Sequence, residues 1–118
     1  MKYLCQVWFE SSMLDGMSKE AKQRLDEEAL AYNVQLVASG HMIVAEALQS
    51  PSAAATVRVR GDDLSVTDGP YAETKEQLGG FILINASDLN EAIRVAARIP
   101  LAKLGSVEVR PIHDCGIR

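Results

Sequence analysis

Apolar positions recur along this chain with two different periods, and the switches between them mark out its elements. Lys2 to Phe9 is an apolar, β-branched and aromatic run of strand length, closed by the polar and glycine-containing stretch Glu10 to Met17. Ser18 then stands as a helix N-cap. Ala21, Leu25, Ala29, Tyr32 and Leu36 follow at helical steps, predicting an amphipathic helix of about 20 residues that Gly40 ends. His41 to Leu48 reads as a second strand, and Ser50 to Ala53 as a turn. Ala55 to Arg60 alternates cleanly and turns through Gly61–Asp63 into Leu64–Thr67, a hairpin. Phe81 to Asn85 is a further strand. Asp88, with Glu91 three residues on, has the form of a capping box; Leu89, Ala92, Ile93, Ala96 and Ala97 make a helical stripe, and Pro100 stops this second helix. Ser106 to Pro111 alternates again as the last strand.

The order β-α-β, inserted hairpin, β-α-β predicts one α+β domain over residues 1–118: a ferredoxin-like split βαβ whose antiparallel sheet carries both helices on one face. Two helices cover only one side of such a sheet. Yet Phe81 and Leu83 are apolar on one side of their strand and Ile82 and Ile84 on the other. The first strand likewise sets Tyr3, Cys5, Val7 and Phe9 against Leu4 and Trp8, and the second sets Met42, Val44 and Leu48 against Ile43, Ala45 and Ala47. A soluble monomer does not leave a patch of that size in water. The pattern therefore predicts a homodimer, sheet against sheet about a two-fold axis, closing a barrel-like interior. The competing solution is that the hairpin folds over the bare face of its own chain.

Composition narrows the function. The chain is 47% hydrophobic and 24% charged with a net charge of −4, an ordinary globular balance without the basic stripe or the aromatic platforms that nucleic-acid binding uses. No stretch has the roughly 20 apolar residues of a membrane span. The first residues read as a strand rather than a leader, so a cytoplasmic protein with two reduced thiols, Cys5 and Cys115, is expected. No ligand-spaced cysteines or histidines call for a metal, and no phosphate-binding or dinucleotide-binding glycine motif calls for a cofactor.

The candidate chemistry lies mainly in Thr67 to Gly80. Asp68-Gly69-Pro70 is a turn signal, Gly79-Gly80 permits a bend or a close approach, and Glu73, Lys75 and Glu76 stand between them. A connection of about a dozen residues in a compact domain draws attention as a site. Asp68 or Glu73 could serve as a general base, and Lys75 could hold an anionic group or stabilise an oxyanion. Alternatively these charges cap turns, pair with one another and dock the loop on a partner subunit. Arg58 and Arg110 on alternating strands either face solvent or clamp a small anion, with Glu46 as a candidate partner. His41, beginning a strand, is a candidate for ligand binding or proton transfer, and His113 near Asp114 is a weaker one. Tyr71 either orients a ligand through its hydroxyl or packs, and Glu76 completes the ligand-binding candidates.

Asp68, Gly69, Pro70, Tyr71, Glu73, Lys75, Glu76, Gly79, Gly80 and Phe81 together resemble the signature of the DGPF family, a branch of the YCII-related proteins, with Tyr71 where the family has phenylalanine. The resemblance extends through Thr56–Arg60, Glu91–Pro100 and Gly105–Ile112. It implies a dimeric α/β barrel. It also implies a link, in some members, to extracytoplasmic-function sigma factors. The His–Asp dyad proposed as catalytic in the wider group has no counterpart here, since no histidine lies between Ser18 and Ser39. Two functions are thus expected. One is a binder or cofactor-independent enzyme for a small anionic or phenolic molecule, with lyase- or isomerase-like acid–base chemistry near the dimer interface. The other is a non-catalytic regulatory or protein-interaction module.

Overall fold

A computed structural model describes residues 1–114. The chain runs β1 (Lys2–Phe9), α1 (Ser11–Asp15), α2 (Lys19–Ala38), β2 (Met42–Ala47), β3 (Ala55–Arg60), β4 (Asp63–Asp68), β5 (Gln77–Asn85), α3 (Leu89–Ala97) and β6 (Ser106–Pro111), with single 3-10 turns at Pro51–Ala53 and Pro100–Lys103. β2, β5, β1 and β6 lie in that order in one antiparallel sheet, and β3 and β4 form a separate two-stranded ribbon. This is the α+β, ferredoxin-like arrangement that the element order predicts, with α2 and α3 on one face.

Local chemistry sets the helix ends. The Ala21 amide donates to Ser18 Oγ (3.1 Å), and at the far end of α2 the amides of Gly40 and His41 donate to the carbonyls of Val37 and Leu36. At α3 the Glu91 amide donates to Asp88 Oδ1 (2.8 Å). Only half of the expected capping box forms. The Glu91 carboxylate does not return to the Asp88 amide; it takes hydrogen bonds from Ser87 and His41 instead.

The core lies between the sheet and the helices. Tyr3, Cys5 and Val7 of β1, Ile82 and Ile84 of β5, Tyr32 and Leu36 of α2, and Ala92, Val95 and Ala96 of α3 are all buried there. Tyr32 ties the helices together: burial pushes its phenol up, so it stays protonated, and it donates to the Val95 carbonyl at 2.6 Å. Cys5 is a free thiol with no exposure, and desolvation raises its pKa to about 11. Cys115 lies outside the described residues.

Three details depart from the sequence pattern. Residues 11–15, expected as an irregular break, form one short helix. β5 begins at Gln77, so Gly79 and Gly80 are strand residues rather than a loop hinge. They sit where two neighbours press in: a Cβ on Gly79 would strike the Phe9 ring, and one on Gly80 would lie 2.8 Å from the Glu46 carbonyl oxygen. β2 does not alternate strictly. Its register against β5 shifts between Met42 and Val44, so Met42 (opposite Ile84) shares the helix-side face with Ala45 (opposite Ile82), while Val44 turns to the other side. An extra residue in one strand reverses the face of everything beyond it.

The side of the sheet away from the helices carries an apolar strip along β1 and β5, bordered on β6 by Arg110 (opposite Leu4) and Glu108 (opposite Gln6). Leu4, Leu83 and Val44 line up across β1, β5 and β2. Gln6, Phe81 and Glu46 form the next row, with Trp8 beyond. The hairpin does not cover this face. Val57 pairs with Val66 and Val59 with Leu64, which gives the ribbon one wholly apolar side. These four side chains are between 57% (Val59) and 68% (Leu64) exposed, and every residue of β4 is exposed. The ribbon is an arm. It helps to make the chain broad and thin, 47 × 45 × 18 Å, with a radius of gyration of 16.2 Å where a compact chain of this length has about 13–14 Å.

Candidate functional site

Four segments converge at the base of the arm. β1 delivers Trp8, the run from the exit of β2 through the 3-10 turn delivers Leu48, Gln49, Pro51, Ala53 and Ala54, and the signature loop delivers Pro70, Tyr71 and Ala72. Gln77 and Leu78 at the start of β5 complete the wall. They enclose a cavity of about 600 Å³. That is the size of a small-molecule site, and its mostly apolar wall with a few amide and hydroxyl groups is the usual make-up of one.

The loop is built to hold this shape. Gly69 takes a φ of 105°, which the following proline leaves to a glycine, and its amide donates to the Ala54 carbonyl at 2.7 Å across the root of the hairpin. Thr56 Oγ1 donates to the Gly69 carbonyl (3.0 Å). The Gln77 side-chain Nε2 donates to the carbonyls of Ala72 and Thr74, both at 2.8 Å, and Thr74 Oγ1 donates to the Glu76 carbonyl at 2.6 Å. No helical turn forms between Glu73 and Glu76, so the two acids do not share a helix face.

Of the loop residues proposed from sequence for catalysis or ligand binding, Tyr71 alone contributes to the cavity wall. Its ring is otherwise exposed and lies under the Arg58 guanidinium, 5.6 Å from ring centroid to Cζ. Arg58 thus joins the arm to the loop. Asp68 is the last residue of β4, opposite Ala55; it and Glu73 are exposed and make no hydrogen bond or ion pair among the described residues. Lys75 reaches Glu10 Oε1 at 3.7 Å while remaining largely exposed. Glu76 accepts a hydrogen bond from Ser106 Oγ (2.8 Å), linking the loop to β6. The structure therefore does not gather Asp68, Glu73 and Lys75 into one constellation. Arg110 pairs with Glu108 at 2.7 Å on the same strand rather than with Glu46, and His113 is exposed.

His41 belongs to a different place, where α2 hands over to β2. Its Nδ1 is 2.6 Å from Ser39 Oγ and its Nε2 is 3.0 Å from Glu91 Oε1. Hydrogen bonds from Ser87, and then from His41, hold the Glu91 carboxyl below the usual carboxylate range. The sequence pattern missed this cluster because Glu91 looked committed to its own helix cap. A depressed carboxyl contributes stability that is complete above its ordinary value of 4.5 and is lost as pH falls through the lower folded value. Glu91→Gln is accordingly expected to be less stable than the parent protein at about pH 6, with the gap narrowing by about pH 3. Urea denaturation at the two pH values measures it. A gap that does not change with pH would show that ionisation of Glu91 is not what Ser87 and His41 reward.

No helix among the described residues is long and apolar enough to cross a membrane. The family model for the YCII-related domain matches residues 1–115. The chain is also similar to an uncharacterised protein of Rhizobium meliloti (strain 1021), 37% identical over 114 residues that cover 95% of this chain and 92% of that protein. With the fold, the DGPY loop and these matches in agreement, the chain belongs to the YCII-related domain family, for which DGPF is another name.

Proposed function

We propose that this protein works as a homodimer that binds a small, largely apolar molecule of the phenol or aromatic-acid class in the cavity at the base of the arm. The observation that carries this reading is the wall itself. Trp8, Leu48, Pro51, Pro70, Tyr71 and Leu78 supply apolar and aromatic surface, Gln49, Ser50 and Gln77 supply hydrogen-bonding groups, and among the described residues no charged side chain lines the space. An aromatic body suits such a wall, and an acidic or phenolic end would sit toward the amides or the open mouth. Dimerisation is supported by the bare sheet face and by the arm. A two-stranded ribbon alone is marginal in water, and this one holds four apolar side chains away from its own core.

A catalytic extension uses Asp68 and Glu73, which flank the wall segment in the chain, as general bases, with Lys75 holding a developing negative charge once the partner subunit and ligand close the mouth. It requires no cofactor. The interaction-module reading draws on the same exposed arm, which would then meet a different protein.

Trp8 is the chain's single tryptophan and lies in the wall, so its fluorescence reports binding directly. Titration with phenols and benzoates is expected to give a saturable change that Ala53→Phe abolishes by filling the cavity and that Lys103→Ala leaves intact. A flat response across both classes would end the pocket reading. If binding is seen, its loss of turnover, but not of affinity, in Asp68→Asn would mark the enzyme.

A further inference from the structure

Glu91 and Arg94 on α3 and Arg98, its C-cap, follow one another along one face, across a groove from Tyr32 and Gln35 on α2 and Ser39, the C-cap of α2. The groove encloses about 460 Å³ over a floor of Leu36 and Val95, both buried. It lies on the helix side of the sheet, so it stays open when two bare sheet faces pair.

Its charges are unevenly matched. Glu91, three residues before Arg94, is the acid placed to neutralise that guanidinium. Its carboxylate is already taken: Oε1 meets His41 Nε2 at 3.0 Å and Oε2 accepts from Ser87 Oγ at 2.8 Å. Ser39 Oγ on the other ring nitrogen of His41 extends this chain across the end of the groove. Arg98 is set over the Tyr32 ring, 5.4 Å from its centroid, and donates to Gln35 Oε1 at 3.3 Å. Among the described residues Arg94 makes no hydrogen bond or ion pair, and none of them sets a carboxylate within ion-pair distance of either arginine. Two guanidinium groups at positions i and i+4 repel each other. Here they do so on a chain whose net charge is −4.

We propose that the groove is a second ligand site, for a small dianion of the phosphate class, free phosphate or the phosphate end of a monoester, held between Arg94 and Arg98. Two planar guanidinium forks match two edges of a tetrahedral oxyanion, and a dianion converts their repulsion into shared attraction. The stacking of Arg98 on Tyr32 and its bond to Gln35 fix one fork before the ligand arrives, which lowers the ordering cost of binding. The bonds to Ser87 and His41 keep Glu91 from competing for Arg94. The inference does not depend on the cavity at Trp8.

The test is isothermal titration of inorganic phosphate, and separately of glycerol phosphate, into the full chain with ionic strength held constant by sodium chloride. Saturable binding at one site per chain is expected, weakened about tenfold or more in Arg94→Gln and unchanged in Arg24→Gln, an exposed arginine elsewhere on α2. Absence of saturation with both probes overturns the proposal. So does an Arg94→Gln titration equal to that of the parent chain, or an equal loss in Arg24→Gln, which would mean diffuse attraction rather than a site. Arg94 is exposed and away from the core, so its variant folds and the outcome can be read. Saturation by glycerol phosphate alone would assign the site to monoesters.

Discussion

Leu83→Glu is expected to separate the protein into single, folded subunits. Leu83 lies near the middle of the bare sheet face, opposite Leu4 on β1 and Val44 on β2. In the isolated chain it is only partly covered, so a carboxylate there is tolerated by the subunit. In a sheet-to-sheet dimer the same carboxylate enters the apolar strip of Leu4, Val44, Phe81 and Trp8 and meets its own copy, or a near neighbour of it, across the two-fold axis. An unpaired buried charge costs several kcal/mol, and each apolar side chain of the layer contributes about 1.5–3 kcal/mol when it is fully removed from water. A loss of roughly 3 kcal/mol or more weakens dimerisation over a hundredfold. Sedimentation at micromolar concentration is the measurement, with circular dichroism to show that the subunit keeps its fold. A parent protein that sediments as a monomer, or a Leu83→Glu variant that stays dimeric with a normal spectrum, would remove the dimer from this account. The arm offers an independent check: Val59→Ser with Leu64→Ser strips its apolar side, and weaker dimerisation there would place the ribbon on the partner.

The elements of the fold were legible because period and punctuation agree. Ser18 and Gly40 bracket α2 within two residues of its observed ends, and the alternation of β1, β5 and β6 assigns their faces correctly. What failed did so where neighbours decide. The stripe read on α3 was Leu89, Ala92, Ile93, Ala96 and Ala97, whereas the buried set is Ala92, Val95 and Ala96, continued by Ile99; Leu89 and Ile93 are half exposed. Both choices have helical spacing, and the tilt of α3 on β1 and β6 selects between them. The bulge in β2 left no mark in Met42-Ile43-Val44, three apolar residues in a row. The cavity was legible in its position, since the glycine, the proline and the loop length all pointed to 67–80. Its wall was not. The conspicuous charges drew attention, while the wall came from quiet residues in four separated segments, Trp8, Leu48, Pro51 and Leu78 among them. A folded chain brings such residues together; a reading along the sequence does not. The groove between α2 and α3 was missed for the same reason, since Ser39 and Glu91 are far apart in sequence and meet through His41.

Ile84→Ala is expected to produce the largest loss of stability of any single truncation in the chain, and comparison with Ile93→Ala turns the assignment of the α3 face into a measurement. Ile84 has no exposure. It is held between the two neighbouring strands, opposite Tyr3 on β1 and Met42 on β2, and α2 and α3 close it from above. Strands fixed on both edges and helices tied by the Tyr32–Val95 bond leave little freedom for neighbours to collapse into the space of the removed methyl and methylene groups. Substitutions of this kind cost about 2–5 kcal/mol, toward the upper end where the site cannot relax. Small domains have only about 5–15 kcal/mol in total, so the midpoint of thermal unfolding should fall by roughly 10 °C or more. Ile93→Ala removes the same atoms from a residue that is 47% exposed and should cost about 1 kcal/mol or less. Urea denaturation of both variants, done at one protein concentration so that dimerisation enters equally, gives the difference. Equal losses would mean that Ile93 is as buried in solution as Ile84, and would move the proposed contact between copies from the sheet face to the helix layer.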